Sequence, residues 1–271
     1  MDATTARLLH EAAAALSAHR RAEAIGLCRQ VLADDPDNLQ AHVLWAAASL
    51  PGEDYLGVLE RIHQDLRPRT YVEIGVETGQ SLVLAQPGTT SIGIDPQPRL
   101  AHAVPPSTSV FFETSDAFFA QYDLFEELGG RPVELAFLDG MHHFEFTLRD
   151  FVNVERYCTP ESTCLLHDCY PLDERTAANP RASTFWSGDT WKIIPCLKKY
   201  RPDLRIHTVA TAPTGLAIVR GLDPASTVLR DRLEQISAEF AALPYSYLDG
   251  DKAGKLNLVP NDWAALRPLL H

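Results

Sequence analysis

The chain lacks the signatures of several protein classes. Its five cysteines, Cys28, Cys158, Cys164, Cys169 and Cys196, are odd in number and contain no Cys-x-x-Cys pair. That excludes a disulfide framework and a cysteine-rich zinc site, and leaves reduced, mostly buried thiols. No apolar run is long enough to cross a bilayer. Met1-Asp2-Ala3-Thr4-Thr5 has no basic stretch leading into an apolar core, so a cytoplasmic protein without a membrane partner is expected. Formal net charge is −12 with no basic stripe, which disfavours nucleic acid as a partner. No Gly-x-Ser-x-Gly elbow is present, which argues against an α/β-hydrolase.

What is present suits a globular α/β protein. With 271 residues, 45% hydrophobic and 22% charged, the chain can bury a full core and still carry an accessory segment. Residues 1–50 read as helical. Thr4 or Thr5 is placed to cap a first helix with Leu8, Leu9, Ala12, Ala15 and Leu16 on one face, and Ala24, Ile25, Cys28, Val31 and Leu32 mark a second. A third begins near Asp37-Asn38. This segment resembles about one and a half tetratricopeptide units; an ordinary helical cap on the next domain fits equally, and either could supply a homodimer contact.

Residues 51–222 alternate between strand and helix. Strands are expected near Thr70–Ile74, Ser91–Asp95, Val110–Glu113, Val133–Leu138 and Thr163–Asp168, with helices at Ala117–Leu128, Phe144–Tyr157 and Thr190–Tyr200, the last open to a kink at Pro195. Arg205–Thr211 and Leu216–Arg220 then form a hairpin. The sum is a doubly wound, mostly parallel, seven-stranded Rossmann-like sheet. Residues 223–271 add a helix over Ser226–Leu243 and a turn-rich tail.

The most informative stretch is Tyr71-Val72-Glu73-Ile74-Gly75-Val76-Glu77-Thr78-Gly79-Gln80-Ser81, followed by Ser91-Ile92-Gly93-Ile94-Asp95. It reads as strand, glycine turn, helix start, strand and terminal acid, the layout of a nucleoside site. Glu-x-Gly-x-x-x-Gly is not the dinucleotide fingerprint. Glu73 at a strand end would repel a pyrophosphate and suits a cationic ligand, while Asp95 is spaced to accept from ribose hydroxyls. From about Arg69 to Arg220 the sequence resembles the class I S-adenosylmethionine-dependent methyltransferases, whose parallel sheet also closes with an antiparallel hairpin. The resemblance implies that Glu73, Gly75 and Gly79 surround the methionine part of the donor, that Asp95 holds ribose and that Ser115-Asp116 contacts adenine. Ser81 is expected to cap the helix after the turn, with or without a ligand contact.

A second constellation is Asp139-Gly140-Met141-His142-His143, with Asp150 in the helix that follows and His167-Asp168 at the next strand end. It resembles a methyltransferase subgroup with an Asp-Gly-x-His motif, related to small-molecule O-methyltransferases. The resemblance implies a divalent cation such as Mg²⁺ on Asp139 and Asp168, although Cys169 and His167 depart from the metal-binding patterns. Transfer to a hydroxyl needs a base or a metal to loosen its proton. His142 is the first candidate base, His167 a base, ligand or orienter, and Asp139 a catalytic, donor-binding or capping group. His143 is expected only to start the helix at Phe144.

Pro171–Thr190 is a long link leaving this region, with Arg175, Arg181, Phe185 and Trp186, and reads as a lid over the acceptor. The leading expectation is methylation of a hydroxyl on a small-molecule natural product or sugar. Two alternatives stand beside it: a non-heme iron oxygenase using Asp139, His142 and His167, and a non-catalytic S-adenosylmethionine sensor whose N-terminal segment recruits a protein.

Overall fold

The structure is a computed structural model and describes residues 2–271. Three helices come first: α1 (Ala3–Ser17), α2 (Arg21–Asp34) and α3 (Leu39–Ser49). Asp2, rather than Thr4 or Thr5, caps α1 by accepting from the Thr5 amide, and Asn38 caps α3 through Ala41. Leu9, Ala12, Cys28, Val31 and Ala41 form a small core of their own, in which the alanines let the helices pack closely. Helix α4 (Tyr55–Leu66), capped by Asp54, leads into the sheet.

The strands are β1 (Thr70–Ile74), β2 (Thr90–Ile94), β3 (Thr108–Phe111), β4 (Val133–Leu138), β5 (Cys158–His167), β6 (Arg205–Val209), β7 (Leu216–Arg220) and β8 (Leu258–Val259). Their order is β3-β2-β1-β4-β5-β7-β6-β8. The first five are parallel, β7 runs antiparallel between β5 and β6, and β8 is parallel to β6. The mostly parallel α/β sheet is as the sequence led us to expect. The eighth strand is an addition: two residues of the turn-rich tail reach the β6 edge, where Thr208 and Ala210 donate to Asn257 and Val259.

Alternation along the strands separates two cores. Val72, Ile74, Ala136, Leu138, Cys164 and Leu166 face α7 (Phe144–Glu155), α8 (Ile193–Tyr200) and α9 (Leu233–Ala241). Tyr71, Leu135, Phe137 and Leu165 face α4 and the C-terminal Leu266 and Leu270. All five cysteines are buried and unpaired. Among the described residues no helix is long and apolar enough to cross a membrane.

Several element boundaries differ from expectation. No α-helix follows the glycine turn after β1; Leu82–Leu84 is a single 3₁₀ turn, and Gln86-Pro87-Gly88 sends the chain straight into β2. The helix expected over Ala117–Leu128 is broken at the extended Tyr122, giving α5 (Ser115–Gln121) and α6 (Leu124–Glu127), the latter capped by Asp123. Pro195 lies in the first turn of α8, where its missing N–H costs no helical bond, so it introduces no kink. The helix expected over Ser226–Leu243 is α-helical only at Leu233–Ala241, preceded by a 3₁₀ turn at Arg230–Arg232.

Candidate active site

The carboxyl ends of β1, β2, β4 and β5 open onto a cavity of about 590 Å³. Gly75 lets the first two ends meet the third. It has φ +88°, and a Cβ there would lie 2.0 Å from the Asp139 carbonyl oxygen. Asp95 fixes the turn that follows: Oδ2 accepts from the Val76 and Glu77 amides at 2.9 and 2.8 Å, and Oδ1 from the Gln97 amide at 2.7 Å. Its carboxylate thus builds the wall of the cavity as well as lining it.

Gly75, Ser81, Asp95, Ser115, Asp116, Asp139, His142 and His167 all line this cavity. Glu73 and Gly79 do not. Glu73 is fully buried behind Ser81, accepting from the Tyr71 and Ser81 hydroxyls at 2.6 Å each. Burial pushes its carboxyl up to about 8, against the opposing pull of those two hydrogen bonds. Ser81 caps nothing; its hydroxyl is committed to Glu73. Asp116 is held by Nε and Nη2 of Arg149 at 3.1 and 2.9 Å.

The opposite end of the cavity gathers the second constellation. One donor atom each from Asp139, His142 and Asp168 lies within 4.8 Å of the other two. His142 Nδ1 is 2.8 Å from Asp168 Oδ2, and His167 Nδ1 is 3.0 Å from Asp139 Oδ1. Asp168 has φ +59°, unusual for a non-glycine residue, and its Oδ1 accepts from the Thr214 hydroxyl in the β6–β7 turn. Its Oδ2 is buried without an aligned hydrogen-bond donor among the described residues. Burial works against charge on His142, yet Asp168 and Asp139 outweigh it and push the imidazole up to about 10. His167 is raised as well, burial again being outweighed by Asp139 and Asp168. With its imidazole pushed up to about 10, His142 is cationic near neutrality in this arrangement.

Tyr55 was not legible as a site residue. It opens α4, its ring centroid lies 4.2 Å from that of His167, and it lines the cavity together with Pro213. Long-range contacts with the β6–β7 turn bring it there: the Tyr55 amide donates to the Ala212 carbonyl, and the Thr211 hydroxyl donates to the Glu53 carbonyl.

The link between β5 and α8 packs tightly over His142. The Trp186 ring stacks on the imidazole at 5.2 Å and 6°, and the Trp186 carbonyl is 3.1 Å from Nδ1. Gly188 (φ +59°) passes so close that a Cβ would fall 1.7 Å from the His142 carbonyl oxygen. Asp189 donates its amide to that carbonyl and caps α7 through the Phe144 amide; His143 stands at the cap position but contributes no side-chain bond. Arg181 lies over Trp186 and bonds the Ser183 and Thr184 carbonyls. The N-terminal helices brace this segment: Asp37 accepts from both the amide and hydroxyl of Thr184, and His42 stacks on Phe185 at 5.4 Å.

Comparison with known proteins agrees with this geometry. Residues 72–169 match the family model of a methyltransferase domain. That stretch of the chain is thus similar to a methyltransferase domain. Solved structures similar to it include cofactor-bound Rv0187 from MTB (16% identity, TM-score 0.49, 65% of this chain and 85% of that one). An O-methyltransferase from Bacillus cereus in complex with SAH is also similar (15%, 0.46, 68% and 88%). So is a putative O-methyltransferase from Klebsiella pneumoniae (13%, 0.44, 82% and 91%). No curated protein matches the chain.

Proposed function

We propose that the protein methylates a hydroxyl oxygen of a small-molecule acceptor, with a divalent cation held by Asp139, His142 and Asp168. The observation that carries this reading is the convergence of those three donors within 4.8 Å of one another, Asp139 and His142 lining one end of the cavity and Asp168 buried beside them, while the other end is built by the glycine turn and Asp95. The residues fit such a cation. Two carboxylates and an imidazole suit a hard or borderline metal, and Asp168 Oδ2, buried without an aligned hydrogen bond, lies 2.8 Å from His142 Nδ1. When bound, the cation would lower the pKa of a hydroxyl placed against it. The chain's own residues do the rest. Tyr55 and Pro213 wall the acceptor end, Trp186 holds the His142 ring flat, and Asp139 fixes His167 through its Nδ1.

The donor set speaks against the iron-oxygenase alternative, because His167 Nδ1 is engaged by Asp139 and the cluster keeps two acids and one histidine. A pure sensor has no use for this cluster. Calorimetric titration with S-adenosylhomocysteine and with Mn²⁺, on the wild type and Asp168→Asn, tests the proposal. The expected result is that the nucleoside binds both proteins within a few-fold and Mn²⁺ binds only the wild type. Absence of nucleoside binding removes the donor assignment. Mn²⁺ binding that is absent from the wild type, or unchanged in Asp168→Asn, removes the metal assignment.

A further inference from the structure

The β6–β7 turn is locked against the exit of β5. The Tyr170 amide donates to the Thr214 carbonyl at 2.6 Å, and the Gly215 amide donates to the Thr211 carbonyl at 2.8 Å. Gly215 has φ +76°, and a Cβ there would lie 2.6 Å from the Tyr170 Cβ, so the two segments are in direct contact. The Thr211 hydroxyl ties the same turn to the Glu53 carbonyl at 2.7 Å. Thr214 is thus held in place by backbone, is 2% exposed, and spends its hydroxyl on Asp168 Oδ1.

Asp168 faces two histidines, one with each oxygen. Oδ2 lies 2.8 Å from His142 Nδ1, and Oδ1 lies 3.7 Å from His167 Nδ1. His167 Nδ1 is already engaged by Asp139 Oδ1 at 3.0 Å. By occupying Oδ1, the Thr214 hydroxyl keeps the carboxylate turned with Oδ2 toward His142, at a residue whose φ of +59° is itself unfavourable. Without that hydroxyl Oδ1 is left buried and unsatisfied, a costly state, and His167 Nδ1 is the donor it can turn to.

We propose that Thr214 is a positioning residue of the cation site: its hydroxyl fixes the rotation of the Asp168 carboxylate, so that Asp168 joins His142 and Asp139 instead of pairing with His167. The inference rests on the metal reading made above and adds to it a control from the antiparallel hairpin. A hydrogen bond that orients a ligating carboxylate is worth about 10- to 100-fold in metal affinity. Nothing in this arrangement reaches the glycine turn, so the nucleoside end of the cavity is indifferent to the hydroxyl.

The test is calorimetric titration of Mn²⁺ and, separately, of S-adenosyl-L-homocysteine into the wild type, Thr214→Val, Thr214→Ala and Thr214→Ser. The histidine ring signals of the four metal-free proteins are read by NMR alongside. Thr214→Val keeps the volume and removes the hydroxyl; Thr214→Ser keeps the hydroxyl and removes the methyl. Mn²⁺ affinity is expected to fall by about tenfold or more in Thr214→Val and Thr214→Ala. Thr214→Ser should restore it to within a few-fold of the wild type, and nucleoside affinity should be the same in all four. In the metal-free proteins the His142 and His167 ring signals should move in the Val and Ala variants and stay in Thr214→Ser. Wild-type Mn²⁺ affinity in Thr214→Val, or a Thr214→Ser variant as weak as Thr214→Val, overturns the assignment while leaving the metal reading in place. Parallel loss of nucleoside affinity also overturns it, because the cavity as a whole has then changed. If the wild type binds no Mn²⁺ the metal reading falls, and with it the role of Thr214 at a cation; unmoved histidine signals in Thr214→Val refute its hold on Asp168 whether or not Mn²⁺ binds.

Discussion

Gly188→Ala is the sharpest perturbation the site offers. The residue has φ +59°, and the added methyl would sit 1.7 Å from the His142 carbonyl oxygen and 2.8 Å from its carbon. A carbon–oxygen contact relaxes only near about 3.3 Å, so the link must shift by about 1.5 Å. Gly129→Ala is the control, because Gly129 has φ +67° with nothing within 4 Å of the new methyl. That control costs the left-handed backbone term alone, about 1 kcal/mol. Gly188→Ala adds loss of the bond from the Asp189 amide to the His142 carbonyl and disturbance of the Asp189 cap on Phe144, about 1 kcal/mol each. The total is about 3 kcal/mol. At about 2–4 °C per kcal/mol in a protein of this size, the melting temperature should fall by about 6–12 °C, against about 2–4 °C for the control. Scanning calorimetry reads the difference, and the His142 ring signals in a histidine-labelled NMR spectrum should shift only in Gly188→Ala. Equal losses in the two variants, or an unmoved His142, would refute the close approach on which the argument depends.

Two further perturbations follow from the same structure. Asp37→Ala removes both hydrogen bonds to Thr184, so trypsin should cut after Arg175 and Arg181 several times faster and Trp186 emission should move to longer wavelength; an unchanged digestion rate would show that the brace is not needed. Glu73 has a folded-state pKa of about 8 against an ordinary 4.5, so the folded protein binds the extra proton, and this contribution to stability is complete below pH 4.5 and lost as pH rises to about 8. Asp150 acts in the same direction up to about 7. The wild-type melting temperature should therefore decline from pH 5 to 8, and Glu73→Gln should decline less; parallel curves would contradict the assignment.

The sheet was legible where strands are continuous apolar runs. Thr70–Ile74, Val133–Leu138 and Leu216–Arg220 lie where periodicity places them. Strand β5 begins earlier than its apolar run because Cys158 pairs with Val133 ahead of it. The helix after the glycine turn failed to form for reasons that lie outside local pattern: Ser81 turns inward to Glu73, and Pro87-Gly88 closes the connection. The acids at the strand ends were found, but their division of labour was not. Position at a strand end fixes where a carboxylate starts, not which donors reach it first. Backbone amides share Asp95, two hydroxyls take Glu73, Arg149 takes Asp116, and Asp139 and Asp168 meet the histidines. Tyr55 and Asp37 act across 112 and 147 residues, on His167 and Thr184 respectively, a separation no local signal spans.

The stretch that matches the methyltransferase-domain model ends at Cys169, just before the link that covers His142. That link is pinned at its entrance by Lys252, whose ammonium group donates to the Pro171 and Leu172 carbonyls, and at its crest by Asp37. Residues from both extremities of the polypeptide thus shape a wall that the matched stretch does not contain. A protein trimmed to that stretch would retain Asp139, His142 and Asp168 in sequence yet leave the imidazole without its stacking partner. Exchanging the outer segments is accordingly a direct way to alter the surroundings of His142 without touching the glycine-turn end of the cavity.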